Sequence, residues 1–139
     1  MKSDLKFVNF VVPKFIFEKT AVEEKDSTFS IEPQVVISRS DNQFHINIDV
    51  EILDVEHNFN LKMLCIGIFT YETTEEKTLL DFMSLNGPAI VFPYVRSFIS
   101  SYTALSGFDT ITLPTLNFAG QKEKLIETLI DLDSLNDEQ

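Results

Sequence analysis

The chain has 139 residues, 44% of them hydrophobic, with 13 phenylalanines, no tryptophan and a formal charge of −11 from 22 acidic against 11 basic side chains. That length suits one domain with ample apolar material for a core, and the surplus of acid disfavours binding to nucleic acid or to anionic lipid. The lone Cys65 gives no disulfide framework and fits a reducing compartment. No stretch approaches the ~20 apolar residues of a membrane span. The opening M-K-S-D-L-K-F-V-N-F is broken by Asp4 and Lys6 and lacks the apolar core and cleavage site of a secretory leader. A cytoplasmic protein is the expectation.

In chain order, Leu5 to Phe17 comes first, with Phe7, Phe10, Phe15 and Phe17 among Val and Ile and with Pro13 interrupting. Because Pro cannot donate to a sheet ladder, this reads as an edge strand or a bulge. Lys19 to Thr28 is a polar loop without a Gly-rich hinge. After Pro33, Val35 to Ser38 is a short β-rich run that ends at the turn signal Ser40 to Asn42. From Phe44 to Ile52 the apolar Phe44, Ile46, Ile48, Val50 and Ile52 alternate with His45, Asn47, Asp49 and Glu51, the period of a half-buried strand. A turn near Asp54 to His57 leads into Phe59 to Tyr71, where Phe59, Leu61, Met63, Cys65 and Phe69 share one face. Beyond Met63 this strand is apolar on both faces, as expected of burial on two sides by helices or by another subunit.

Helix-start chemistry follows at Thr73 to Glu76, with a short apolar helix over Leu79, Leu80, Phe82 and Met83. A longer helix is expected after Pro93, its stripe made by Val95, Phe98, Ile99, Tyr102 and Leu105, with Gly107 placed to end it. Ser97, Ser100 and Ser101 lie off that stripe, where small side chains suit either a close helix partner or solvent. Phe108 to Phe118 reads as an apolar extended loop. Gln121 to Leu132 reads as a final amphipathic helix, and Asp133 to Gln139 as a frayed acidic tail. Strands first and helices after define an α+β domain spanning residues 1–139: a four-stranded antiparallel sheet with helices packed on one face.

Catalytic chemistry is sparsely represented. His45 and His57 are the only histidines, and neither forms a metal-ligand pattern with Cys65. Nucleophile-elbow, Walker and dinucleotide motifs do not occur. Asp49 and Glu51 lie on one face of a strand, roughly 6 to 7 Å apart. They are read first as an acidic sheet surface and second, together with His45, as the lining of a cleft in a small ligand-binding protein or enzyme. No cofactor and no metal are expected. Phe29, Phe108, Leu113, Pro114, Leu116 and Phe118 fall in segments read as loops. Apolar residues there either fold back over the sheet or remain as an apolar groove.

One stretch is more specific. From Asn86 to Phe118 the chain carries Pro88, Phe92, Pro93, Tyr94 and Arg96, a Gly107-Phe108 exit, and then Leu113, Pro114, Asn117 and Phe118. In order and spacing this resembles the signature of the SecB-type protein-export chaperones. The resemblance implies a four-stranded sheet followed by helices, a homotetramer built as a dimer of dimers, and holdase activity without ATP. Unfolded or precursor polypeptides would be held in apolar grooves, with Phe29, Ile31, Phe108, Leu113, Pro114, Leu116 and Phe118 as the candidate groove residues. Phe7, Phe10, Phe15, Ser97, Ser100 and Ser101 are the candidate assembly residues. Delivery to the motor SecA would use acidic positions on the outer sheet, for which Glu18, Asp49 and Glu51 are the candidates. The chain departs from the pattern at several places: Lys14 and Lys62 stand where acids are expected, Asn60 where an apolar residue is, Ser97 follows Arg96 where Glu is usual, and Asp109 follows Phe108 where Pro is usual. The resemblance therefore also extends to the SecB-like proteins that protect the antitoxin of a toxin-antitoxin pair.

Overall fold

The alternation from Phe44 to Ile52 forms the middle of the sheet. In a computed structural model, described over residues 4–114 and 118–137, β3 (Gln43–Asp54) buries Phe44, Ile46, Ile48, Val50 and Ile52 and leaves Asp49 and Glu51 exposed. It pairs antiparallel with β2 (Thr28–Ser38) on one side and β4 (Phe59–Glu72) on the other. β1 (Asp4–Lys19) adds antiparallel to β4. The expected four strands are present, and a fifth joins them: β5 (Ile130–Asp131) runs parallel to β2 at Val36 and Ile37, giving the order β1-β4-β3-β2-β5.

β1 is both an edge strand and bulged. Its register with β4 slips between Phe7 and Asn9 and again between Val11 and Lys14, and Pro13 lies in the second irregularity, where its missing donor is least needed.

One helical layer covers one sheet face. α1 (Glu76–Asp81) continues through a wide turn at Phe82–Asn86 into α2 (Gly87–Leu105). Two glycines set how closely α2 lies on the sheet. A Cβ on Gly87 would stand 2.5 Å from Ile46 Cδ1 and 2.9 Å from the Phe82 carbonyl oxygen, and a Cβ on Gly67 of β4 would collide with Val91 Cγ2. Val91, Phe92, Val95 and Ile99 complete the core against β3 and β4. Cys65 is buried in the same layer, and burial pushes its thiol up to about 12.

The long helix begins six residues earlier than the sequence suggests, and Pro93 lies inside it. A proline there removes the bond to the carbonyl of Ala89. Both residues lie on the exposed side, where water can take the freed carbonyl.

The C-terminal region also differs from expectation. Instead of one helix from Gln121 to Leu132, the chain forms a tight turn at Phe118–Gln121, α3 (Lys122–Glu127), β5 and α4 (Leu132–Asp137). The start of the segment expected to fray, and the strand before it, are tied down by hydrogen bonds and charge. The Arg39 guanidinium donates to both Glu76 carboxylate oxygens at 2.7 and 2.8 Å and to Asp131 at 3.0 Å. The backbone N–H and hydroxyl of Ser40 donate to Asp133 at 2.8 and 3.0 Å. The hydrogen bond from Arg39 holds the Glu76 carboxyl below its ordinary value, and the same bond raises the Arg39 guanidinium.

Candidate functional site

The inward side chains of β1 meet α2 ring against ring. Phe7 and Phe10 stand 5.0 and 5.5 Å from Tyr94, and Phe15 stands 5.1 Å from Phe98 and 4.4 Å from Tyr102. Phe17 continues the series toward Tyr102, Phe59 and Phe108. The spacing of Tyr94, Phe98 and Tyr102, four residues apart, puts all three on one side of α2. The lower rings of this trough are half-buried in the core, while Tyr94, Tyr102 and Phe108 remain 47%, 45% and 49% exposed.

The loop leaving α2 is held in place from the helix itself. Gly107 takes φ +90, a conformation that favours glycine. Arg96 Nε donates to the Leu113 carbonyl at 3.1 Å, the Ser100 hydroxyl donates to the Ile111 carbonyl at 3.1 Å, and the Ile111 N–H donates to Thr103 Oγ1 at 2.9 Å. These bonds seat the loop beside the end of β1 and the start of β4, where it lines an open pocket of about 240 Å³. Phe17, Phe59, Phe108 and Ile111 form its apolar wall, and Lys19, Asp54, His57 and Asp109 form its polar one. Lys19 donates to the His57 carbonyl and stands 5.8 Å from the Phe108 ring centre, in cation-π reach. Burial disfavours the Asp54 carboxylate, but bonds from the His57 backbone N–H at 2.9 Å and ring Nδ1 at 3.0 Å outweigh it, so its carboxyl sits below the ordinary value.

Of the candidate groove residues, Phe29 and Phe108 stand at one end of the sheet, with Ile31 one row farther in. Phe29, Ile52, Leu61 and Phe17 are cross-strand partners in a single row on the core face, so Phe29 and the Phe17–Phe108 pair stand at opposite borders of that end, about 14 Å apart at the usual strand spacing. Phe29 is 48% exposed, Ile31 is half-buried in the next row and Pro114 is exposed. Leu113 is buried at 2% and belongs to the core. Leu116 lies outside the described residues, as does the side chain of Phe118.

Of the candidate assembly residues, Phe7, Phe10 and Phe15 face α2. Ser97 and Ser101 are exposed on α2, and Ser100 anchors the loop. Phe17, Phe59, Tyr94 and Tyr102 were named in their elements but not among the candidate site residues read from the sequence. The signal that could have found them is the density of rings in β1 matched by tyrosines at helical spacing.

The outer sheet face holds Glu18 beside Asn60, and Asp49 beside Leu64 and Lys14. Among the described residues, His45, Asp49 and Glu51 do not line one cleft. His45, within 3.1 Å of Gln43, and Asp49 border two separate shallow hollows, and Glu51 borders neither. Among the described residues no group of three or more His, Cys, Asp or Glu is placed to hold a metal, and no helix is long and apolar enough to cross a membrane.

One helical layer on a mostly antiparallel sheet, with an aromatic trough at its border, makes this an α+β protein. The chain belongs to the SecB family: the family described as preprotein translocase subunit SecB matches residues 4–124. An uncharacterized protein of Methanocaldococcus jannaschii is 27% identical over 135 residues, covering 91% of this chain and 87% of its own. The protein-export protein SecB of Orientia tsutsugamushi (strain Boryong) is 26% identical over 119 residues, covering 84% and 73%. In structure, the chain is similar to the SecB-like chaperone Rv1957 of Mycobacterium tuberculosis, solved in complex with a peptide from the HigA1 antitoxin. That match has a TM-score of 0.63 at 16% identity and covers 81% of this chain and 88% of the other. β5 and α4 lie beyond the stretch that the family matches.

Proposed function

We propose that this protein is a cytoplasmic holdase that binds non-native polypeptides along the aromatic trough without nucleotide. The observation that carries the proposal is the half-exposed aromatic set Tyr94, Tyr102, Phe108 and Phe29 at the rim of the core. A client with unburied apolar segments gains roughly 25 cal/mol for each Å² it covers, and several such contacts along one chain add through effective concentration. Binding of this kind needs no energy source to form. The clients are unfolded or precursor polypeptides on their way to export. A dimer of dimers, assembled through β1 and the Ser97–Ser101 side of α2, displays several troughs at once. Contact with the motor SecA would fall on Glu18, Asp49 and Glu51.

A second reading is favoured by the outer sheet. Lys14 and Lys62 interrupt the acidic surface that motor contact would use, and the similar Rv1957 chaperone was solved with an antitoxin peptide. Under this reading the chain serves chiefly one client, the antitoxin of a toxin-antitoxin pair.

The test is light scattering of a refolding client with no nucleotide present. Stoichiometric protein is expected to suppress aggregation, and Phe29→Asp to weaken the effect while the oligomer persists. Undiminished aggregation at every ratio would overturn the proposal. An adjacent toxin and antitoxin gene pair, or an antitoxin recovered as the main bound protein, would select the second reading.

A further inference from the structure

The C-terminal segment lies along the edge of β2 that faces away from β3. β2 pairs with β3 over its whole length, and its core-side residues Phe29, Ile31, Pro33, Val35 and Ile37 are apolar throughout. Along that row Phe29 is exposed and Ile31 half-buried, whereas Val35 and Ile37 are fully closed. The outer edge of β2 changes character at the same place. Among the described residues no strand pairs with it from Thr28 to Val35. The end of α3 borders Glu32 to Gln34, where Gln34 Nε2 donates to the Thr128 carbonyl at 3.4 Å, and β5 takes the ladder beside Val36 and Ile37. Leu132 then borders one hollow with Val36 and His45.

β5 is held there less by its ladder than by side chains. It has two residues, and they run parallel to β2, the slightly less stable pairing. Arg39 and Ser40, in the turn between β2 and β3, donate to Asp131 and Asp133. The other oxygen of Asp131 accepts the Asp133 and Ser134 N–H groups at 3.0 and 3.4 Å, so one carboxylate joins the turn, β5 and α4. These groups are partly in water already, so letting them go costs little. A short segment added to an open sheet edge is also how extended peptides are commonly bound.

We propose that β5 and α4 form an autoinhibitory strap: they keep the Val36–Ile37 part of the β2 edge closed, and an extended client segment displaces them to pair there. The inference rests on the trough as the client site. Phe29, at the open border of the trough, is about 23 Å from Val36 at strand rise, so a client held at Phe29 reaches the strap within one short segment. The strap's own Ile130-Asp131-Leu132 describes the occupant: an acid between two apolar residues, with Arg39 to receive the acid.

The strap can be locked and freed in the full-length chain. Ser40→Cys with Asp133→Cys, side chains that meet at 3.0 Å, locks it when oxidised and frees it when reduced. Asp131→Ala with Asp133→Ala frees it and spares the Arg39–Glu76 pair. Freed forms are expected to bind a labelled unfolded polypeptide about tenfold more tightly than the locked form, the factor for an edge otherwise open roughly a tenth of the time, with the unaltered chain between them. A photoreactive phenylalanine analogue in place of Val36 should capture that polypeptide in the freed forms and not in the locked one, and a synthetic peptide of residues 129–137 should compete with it. The same analogue in place of Phe108 should capture the polypeptide in every form. The inference is overturned if locked and freed forms bind alike, if position 36 captures equally in both, or if the freed forms gain assembly mass through the bared edge instead of taking client there. No capture from position 108 in any form would overturn the trough as well as the strap.

Discussion

Replacing Phe108 with Ala removes the most exposed ring of the trough and leaves its support in place. A phenylalanine presents about 200 Å², and at 49% exposure roughly 100 Å² is free for a client to cover. At ~25 cal/mol per Å² the most this can contribute is about 2.5 kcal/mol. Ordering costs on association reduce that, so a loss near 1.4 kcal/mol, or about tenfold in Kd, is the expectation. The covered half of the ring packs on Phe17 and beneath Lys19, so stability falls as well, by about 1–2 kcal/mol. Affinity should therefore be measured well below the melting temperature of the variant, by fluorescence anisotropy of a labelled unfolded polypeptide. Leu135 of α4 is the control, equally exposed at 49% and outside the trough. Unchanged affinity for Phe108→Ala, or an equal loss for Leu135→Ala, would refute the assignment of the trough as the client site.

Gly67→Ala forces a methyl group into the Val91 side chain and within 3.3 Å of the Phe69 ring. Overpacking of this kind costs about 1–3 kcal/mol, to be read as a lower denaturant midpoint with an unchanged slope. Acid should loosen the C-terminal segment before the sheet melts. The Glu76 carboxyl is lowered from its ordinary 4.5 by Arg39, so its contribution is complete above about that value in the unfolded chain and is lost as pH falls through the lower folded value. Amide exchange at Ile130 and Asp131 should rise over that range, and Glu76→Gln should remove the pH dependence. Cys65, buried with its thiol pushed up to about 12, should react with thiol reagents only at the rate of unfolding; fast labelling under native conditions would contradict its placement.

What could be read from the sequence was what repeats locally. The alternation in β3 and the odd-numbered apolar residues of β4 specify strands, faces and a helical cover, because side-chain period and burial are tied together, whereas the burial of β4 on two sides is not seen in the single chain, where Leu64, Ile66 and Ile68 are half-buried. Pro13 announced the irregular edge of β1. The start of α2 was not legible, because proline normally argues against a helix interior and nothing nearby shows that Pro93 and Ala89 face water. The C-terminal clamp was also hidden. Arg39, Glu76 and Asp131 are far apart in sequence, and such a network leaves no local pattern. In the site, Phe29 and Phe108 could be picked out as apolar residues in segments read as loops, but Phe29 lies in β2, which starts at Thr28 rather than near Val35, and Leu113 shares that composition and is core. Only the bond from Arg96 to its carbonyl and the packing beneath it separate the two cases.

The most direct test of the account is to map where a client touches. A photoreactive phenylalanine analogue placed at Phe29, Phe108 or Glu51 samples both borders of the trough and the outer sheet face. During refolding of a client without nucleotide, positions 29 and 108 are predicted to capture it and position 51 is not. Capture from position 51 alone, or from none of the three while aggregation is still suppressed, would contradict the account.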